Sequence, residues 1–557
     1  MSDNTILERN LLALSSRNAS LSRKIGEAHS SDILKFVKSQ TGLPVPIILK
    51  DGKEYFLHSR FDPGKEGERF FQVHSSGGYL VFLGFGAGYH IFPFLKRKDV
   101  SNILIIDRDV SLFKTLFSVK DLREILLDPR VHLMVDAEPE QITEYFLSSY
   151  FPAITGDLKT LPLQSRLKTE KLYFTRVIAL IKELISTLAD DYTVQSHFGK
   201  KWYRNTLFNL KAAGSSTSTL KPVRKALIAG AGPSLEVQID ELRNLRKGGT
   251  LISTDTALPA LSAFGIIPDM VISIDCQHIT YHHFMGDYPP DVPLILDLAS
   301  PANLTRISSK LIFFSSGHPL SQYVSNNWRR FPYIDTSGGN VTHSAVSLAN
   351  LLGAEEIYLF GTDFSYPEGK SYARSTYIYP LFSSREVRTT PLESQFFSFL
   401  LRNNNIEKEF TEDFIRYTTK PMISYKRRLE KAFENSPCKI ISVPGKGLPV
   451  SAIYRKVYNK KERKIYTMIA AGKPLTDWRD FLNSYEKELT SLPKPTEPFV
   501  KYFSQLEPHR KDVWLTLLPA AAAFRREIGS VKPGVELLKM VHSWSRETLR
   551  CCREAWL

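Results

Sequence analysis

The chain has 557 residues and a mass of 63.4 kDa, a length that at about 100–200 residues per domain excludes a single small module. Hydrophobic residues make up 43% and charged residues 24%, ordinary globular usage that excludes wholesale disorder. Lys plus Arg number 73 against 58 Asp plus Glu, a formal net charge of +15 that favours an anionic partner.

The basic residues are scattered in short groups, Lys96-Arg97-Lys98, Lys426-Arg427-Arg428 and Lys460-Lys461, with acidic residues between them. That scatter lacks the dense basic arm of a nucleic-acid protein. Cys276, Cys438, Cys551 and Cys552 form no CxxC pair, which argues against structural zinc and a disulfide framework. The polar opening Met1-Ser2-Asp3-Asn4-Thr5 has no signal-peptide pattern. The longest apolar stretch, Val513 to Phe524, is about 12 residues where a membrane span needs about 20. A soluble, cytoplasmic protein with no membrane span is expected.

In chain order, Ile6 to Val37 reads as helical, and Val45 to Val73 alternates around Asp51-Gly52-Lys53 as a β-hairpin region. Tyr79 to Leu83 is a buried-strand run, Gly84-Phe85-Gly86-Ala87-Gly88 a glycine turn, Tyr89 onward a helix, and Ile103 to Asp107 a second strand. This is a βαβ unit, and an acidic residue at Asp107 could hold ribose hydroxyls. Tyr89 and Ile91 stand where a third glycine would complete the dinucleotide fingerprint, so a structural Rossmann-like domain is favoured over a bound nucleotide or S-adenosylmethionine. Lys168 to Ala213 reads as helical connectors, and Ser215-Ser216-Thr217-Ser218-Thr219 as a linker at a domain boundary.

Seven strand-like runs follow: Ala226 to Ala229, Thr250 to Ser253, Met270 to Ile274, Leu294 to Leu296, Leu311 to Phe314, Glu356 to Phe360 and Lys439 to Val443. Short apolar runs alternating with helices predict a parallel sheet covered on both faces. After Ser451 the segments Ile453 to Met468, Trp478 to Leu492, Val513 to Ile528 and Val535 to Trp556 read as helices. The expected architecture is α/β: a Rossmann-like N-terminal domain with its helical connector (1–215), a Rossmann-like parallel-sheet core (216–450) and an all-helical C-terminal domain (451–557).

The core carries the motifs. Its first strand runs into Gly230-Ala231-Gly232-Pro233-Ser234-Leu235, where small residues allow a sharp turn and free amides at a helix start would favour phosphate; a tight turn without a ligand is the plain alternative. Asp255 and Asp275 end the next two strands, placing them at the carboxyl edge where open sheets bind ligands; the alternative there is helix capping. Thr336-Ser337-Gly338-Gly339-Asn340 precedes another helix, and Phe360-Gly361-Thr362-Asp363-Phe364-Ser365-Tyr366 and Gly369-Lys370-Ser371-Tyr372 supply polar loops with phenols.

The segments GAGPSL near 230, LPALSAFGIIPDMVISID ending at Asp275, GGNVTHSAVSLANLLGAEEIYLFGTDFSY from Gly338 and GKSYA from Gly369 resemble the bacterial motility-associated factor family of flagellin glycosyltransferases. The core of that family carries a domain also named for archaeal 6-hydroxymethylpterin diphosphokinase, and the resemblance runs from Lys221 to about Pro449. The same core is similar to bacterial sialyltransferases that use CMP-activated nine-carbon acidic sugars.

These resemblances imply that Gly230, Gly232, Pro233 and Ser234 contact CMP and that Asp255 lies beside the nucleotide. They also imply that Thr336, Ser337 and Gly338 bind phosphate, and that Tyr372 stabilises the departing phosphate, with Tyr366 one residue off the pattern. Asp275, Gly339 and Asp363 join the expected donor site by position. The resembled sialyltransferases use a downstream histidine as base, yet no histidine occurs between Tyr372 and Pro449. His343, His318 and the group His278, His282 and His283 are the candidates. His343, beside Gly339, is the most attractive, against the plain reading of a helix-surface histidine. Adjacent His282 and His283 do not present two nitrogens to one metal as i, i+4 pairs do, and no metal site or tightly bound cofactor is expected.

The function implied is transfer of a nonulosonic acid from a CMP-sugar donor to Ser or Thr of flagellin, in support of flagellum assembly and motility. Two rivals remain: a pterin-type diphosphokinase using ATP, with Mg²⁺ on Asp255, Asp275 and Asp363, and a non-enzymatic flagellin-binding scaffold. Nucleic-acid binding rests on net charge alone.

Overall fold

The structure, a computed structural model, describes residues 3–74, 77–286, 288–402, 405–451, 469–529 and 534–555. The chain divides into two compact units, residues 1–199 with 491–545 and residues 200–490 with 546–557.

In the first unit Pro44–Lys50 and Lys53–Phe56 pair antiparallel, joined by Asp51 and Gly52, whose φ angles of 52° and 71° give a two-residue turn matched to strand twist. Leu34–Lys38 adds a third strand. The hairpin does not extend to Val73. Asp62 accepts a hydrogen bond from Lys65 N and opens a helix, Pro63–Val73, with proline in its first turn. The expected N-terminal helix is likewise two helices, Asp3–Ser15 and Ala19–Glu27, ahead of the strand at Leu34.

A four-stranded parallel sheet follows in the order Val131–Val135, Val100–Asp107, Gly78–Leu83, Leu158–Pro162. The strand order reverses at Gly78–Leu83, so the turn Gly84–Gly88 sits where such sheets bind nucleotides. Here the polar groups of that position bond to the protein itself. Asp107 accepts from Phe85 N at 2.8 Å, Arg108 N at 2.7 Å and the buried Arg166 Nε at 2.9 Å. Ala87 N donates to His58 Nε2 at 3.0 Å, and Lys120 Nζ donates to Ala87 O at 2.7 Å. The helix Lys171–Ser215 packs Phe174, Val177 and Ile181 on this sheet and then continues into the second unit.

In the second unit the strands β1 (Lys225–Ala229), β2 (Thr250–Thr254), β3 (Met270–Ser273), β4 (Leu294–Asp297), β5 (Leu311–Phe314), β6 (Glu356–Phe360) and β7 (Lys439–Ser442) form one parallel sheet. Their order is β5-β4-β3-β2-β1-β6-β7. Alternation divides the apolar side chains between two faces. Ile228, Ile252, Ile272 and Leu359 pack with Val346 and Leu348 of α2 (Val341–Leu351). Leu227, Leu251 and Phe360 pack with Leu235, Ile239 and Leu242 of α1 (Leu235–Arg246). Burying a side chain of this size stabilises by about 1.5–3 kcal/mol, so both faces must be covered, as in α/β folds.

Between β6 and β7 the chain forms a small antiparallel sheet from Tyr366–Pro367, Ile406–Phe410 and Ile415–Thr419, which the sequence pattern does not reveal. The C-terminal region is helical at Trp478–Ser491, Phe499–Ser504, Pro508–Glu527 and Val535–Glu554; the expected helix Ile453 to Met468 lies outside the described residues. Among the described residues no helix is long and apolar enough to cross a membrane.

Candidate functional site

The strand order reverses between β1 and β6, and the loops leaving these strands pack backbone on backbone. Gly230 N donates to Phe360 O at 2.8 Å, and Gly232 N donates to Gly361 O at 2.8 Å. A Cβ on Gly230 would lie 2.6 Å from Gly361 O, one on Gly361 would strike Gly230 O, and one on Gly232 would strike the Asp363 carboxylate. Close approach of two loops therefore demands these glycines whether or not a ligand is bound.

Asp363 fastens the junction. It is buried, its Oδ2 accepts from Ser234 N at 2.9 Å, its carbonyl accepts from Leu448 N at 2.7 Å, and burial pushes its carboxyl upward. Ser234 Oγ accepts from Lys446 N at 2.7 Å. Gln238 spans the crossing, donating to Val443 O at 2.9 Å and accepting from Gly361 N at 2.8 Å. The amides of Gly232 and Ser234, expected to be free at the helix start, are thus bonded to Gly361 O and to the Asp363 carboxylate. Asp363 occupies the place at the N-terminus of α1 that an anion would take. Pro233 lies in the turn between them, ahead of the Ser234 cap of α1. Ala373 N bonds Ala231 O at 2.8 Å and so brings Tyr372 to the loop.

The neighbouring crevice lies beyond β2 and β3. Asp255 Oδ1 accepts from Thr256 N at 2.7 Å and from Thr256 Oγ1 at 3.0 Å, and its Oδ2 accepts from Ser273 Oγ at 2.7 Å. Asp275 accepts from Gln277 N at 3.0 Å; burial and the nearby Asp255 charge push its carboxyl up. His283, on the 3₁₀ stretch His278–Phe284, is 9% exposed. Its Nε2 lies 3.4 Å from Thr256 Oγ1, its buried Nδ1 has no hydrogen-bond partner, and its ring meets that of Tyr377 edge-on at 4.6 Å.

The rings of Tyr372 and Tyr377 are 6.1 Å apart. Burial raises the phenols of Tyr366, Tyr372 and Tyr377 above their usual range, and the Arg402 cation opposes that rise in all three. Arg402 thus acts on all three phenols, and Asp255 on Tyr372 and Tyr377. The loop that carries the tyrosines holds Phe364, Glu368 and Ser375 at φ of 45°, 55° and 67°, a conformation costly for residues with a Cβ and concentrated at functional segments.

The loop Thr336 to Asn340 is ordered by Gly339 N bonding Thr336 O at 3.1 Å, Ser337 N bonding Asp335 Oδ1 at 2.9 Å, and Asn340 capping α2 through His343 N at 2.9 Å. Gly339, at φ +75°, faces the Tyr425 ring, where a Cβ would lie 2.9 Å from Cε1. Gly338 covers His343, since a Cβ there would strike Nδ1. His343 is fully buried. Its Nε2 lies 3.0 Å from Asp335 Oδ2, and this partner holds the Asp335 carboxyl well below its usual range. His343 is neither the surface histidine of the plain reading nor an open base; it fastens the start of α2.

His318, beyond β5, stacks on Trp202 at 3.9 Å and lies 3.7 Å from Asp297, while His278 and His282 are exposed. Asp363 faces Ser234, whereas Asp255 and Asp275 face the crevice. Among the described residues no three His, Cys, Asp or Glu side chains converge as a metal site.

A family profile described as 6-hydroxymethylpterin diphosphokinase MptE-like matches residues 200–369. An uncharacterized protein of Treponema pallidum (strain Nichols) is 34% identical over 168 residues, 30% of this chain and 80% of that protein. A second from the same organism is 36% identical over 153 residues, 27% of this chain and 54% of its own length. The solved structure of the MAf glycosyltransferase from Magnetospirillum magneticum AMB-1 matches 99% of this chain and 95% of that one, with a TM-score of 0.58 at 15% identity. The chain belongs to the MptE-like family and has the Maf fold.

In this Maf-fold chain the matched segment includes β1 through β6, Asp255, Asp275, His283 and Tyr366, and ends before Tyr372, Tyr377 and Arg402. Sequence reasoning missed Thr256, Tyr377 and Arg402. Tyr377 stands in the same run as Tyr372, Lys370-Ser371-Tyr372-Ala373-Arg374-Ser375-Thr376-Tyr377, and its aromatic spacing was a usable signal. Arg402 gave none: it is an exposed residue stacked on Phe399 at 3.5 Å, and only the fold brings its charge within reach of the three phenols.

Proposed function

We propose that this crevice is the donor site of a glycosyltransferase that moves an acidic nonulosonic sugar, of pseudaminic, legionaminic or sialic type, from a CMP-sugar to Ser or Thr of flagellin in the cytoplasm. The observation that carries this reading is the pair Tyr372 and Tyr377, rings 6.1 Å apart, which feel both the Asp255 charge and the Arg402 cation at the sheet's carboxyl edge, with Tyr366 sharing the Arg402 field. Protonated phenols donate hydrogen bonds and Arg402 supplies charge, the combination that stabilises a departing phosphate; a donor of this kind is worth about 2.7–4 kcal/mol in a water-poor site. CMP leaves readily, so positioning and charge stabilisation are the main demands on the protein.

In this reading Gly230, Gly232, Pro233, Ser234 and Asp363 shape the nucleotide side of the crevice. Asp255 and Asp275 border the donor, and Thr336, Ser337, Gly338 and Gly339 offer the α2 terminus to phosphate. The likeness to the MAf glycosyltransferase over nearly the whole chain supports the transferase class.

The family profile's description favours one rival, diphosphate transfer from ATP to a pterin alcohol, which would call for Mg²⁺ on carboxylates. Calorimetry with CMP and with ATP, each with and without EDTA, separates the two. CMP binding that survives EDTA and weakens at least tenfold in Arg402→Gln is expected. ATP binding that requires Mg²⁺ would install the rival, and binding of neither nucleotide would leave the flagellin scaffold.

A further inference from the structure

We propose that His283 is the general base that takes the proton from the acceptor hydroxyl, oriented by Thr256 and Asp255. The proposal rests on the sugar-transfer reading of the crevice. The hydrogen-bond chain fixes the imidazole's tautomer. Thr256 has one hydroxyl proton, which it donates to Asp255 Oδ1 at 3.0 Å, leaving its oxygen to accept from His283 Nε2–H at 3.4 Å. In that tautomer Nδ1 carries the lone pair, and Nδ1 is the buried ring atom without a partner. Carboxylate, hydroxyl and imidazole thus repeat the logic of a base held by a third group.

The other histidines fail on geometry. Gly338 closes over Nδ1 of His343 and Asp335 holds its Nε2, the His318 ring lies flat on Trp202, and His278 and His282 are exposed. The charged and titratable groups around His283 are Asp255 beyond β2, Asp275 beyond β3, and Tyr377 on the tyrosine loop. The Tyr377 ring packs against the imidazole at 4.6 Å with the two ring planes near perpendicular.

The acceptor O–H bond breaks and its electron pair forms the new bond to the sugar's anomeric carbon. The carbon–oxygen bond to phosphate breaks, and its electrons leave with CMP. The proton passes to Nδ1 and is later released to water. His283 is the catalytic residue; Thr256 and Asp255 are positioning residues.

The test compares the wild type with His283→Gln, Thr256→Val and His283→Ala, using CMP-nonulosonic acid and unmodified flagellin. His283→Gln should lose about 10²–10⁴-fold in kcat and the acidic limb of the pH–rate profile, with CMP affinity within threefold of wild type by calorimetry. Added imidazole should restore part of the rate in His283→Ala. Thr256→Val should lower kcat with KM for the donor unchanged, and should keep the acidic limb. If the wild type transfers sugar and His283→Gln transfers equally well with its limb intact, the base assignment is overturned alone. If the wild type neither binds CMP nor transfers sugar, the reading of the crevice fails and the base falls with it.

Discussion

Replacing Gly361 by Ala tests why the core's glycines are where they are. Gly361 sits at φ +56°, and an added Cβ would meet Gly230 O and the Leu235 side chain. Gly265, at φ +68° with nothing within 4 Å, provides the control. Both substitutions carry the left-handed penalty of about 1–2 kcal/mol. Only Gly361→Ala must also push β1 and β6 apart, and this strains three hydrogen bonds: Gly230 N to Phe360 O, Gly232 N to Gly361 O, and Gly361 N to Gln238 Oε1. At about 1 kcal/mol each the expected destabilisation is about 4–5 kcal/mol, against about 1–2 kcal/mol for Gly265→Ala. Native-state hydrogen exchange at the Gly232 and Ser234 amides reads the local opening directly. Equal effects of the two substitutions on those amides would refute the close-approach explanation.

The buried pair Asp107–Arg166, 2.8 Å apart, should show the asymmetry of internal ion pairs. Arg166→Met alone should cost about 3–5 kcal/mol in urea unfolding, and Asp107→Leu with Arg166→Met together should cost markedly less. Lys120 Nζ lies 3.3 Å from the Tyr89 ring centroid, and burial pushes its ammonium down to about 7. Between that value and the ordinary 10.5 the unfolded chain holds more protons than the folded one, so stability should rise with pH across this window, by up to about 1.4 kcal/mol per pH unit. Lys120→Met should be more stable than wild type at pH 7 and lose that rise; an unchanged slope in a urea series from pH 7 to 10 would exclude the group.

The core sheet was legible because each of its strands is an apolar run with turn chemistry on either side, and a sheet covered on both faces leaves that mark on every strand. The strands Val131–Val135 and Leu158–Pro162 were not, since His132, Lys159 and Thr160 interrupt the apolar pattern at the sheet's edges. The small sheet around Tyr366 was hidden for a related reason: Ile406–Phe410, with three charged residues in five, is an exposed edge strand. In the site, Asp255, Asp275 and Tyr372 could be placed from strand ends and loops. Asp363 and the glycines were read as ligand contacts because sequence cannot distinguish a loop shaped for phosphate from one shaped for a second loop. His343 looked open beside Gly339, and only the fold brings Gly338 and Asp335 over it. His283 was one of three neighbouring histidines until the hydrogen bond to Thr256 singled it out.

The most direct measurement is intact-mass analysis of unmodified flagellin incubated with the purified protein and CMP-nonulosonic acid in EDTA. Sugar transfer at the crevice predicts stepwise mass increments of one sugar residue, with CMP released in equal number and both reduced at least tenfold in Tyr372→Phe. Flagellin of unchanged mass, with no CMP released and no CMP bound, would contradict it.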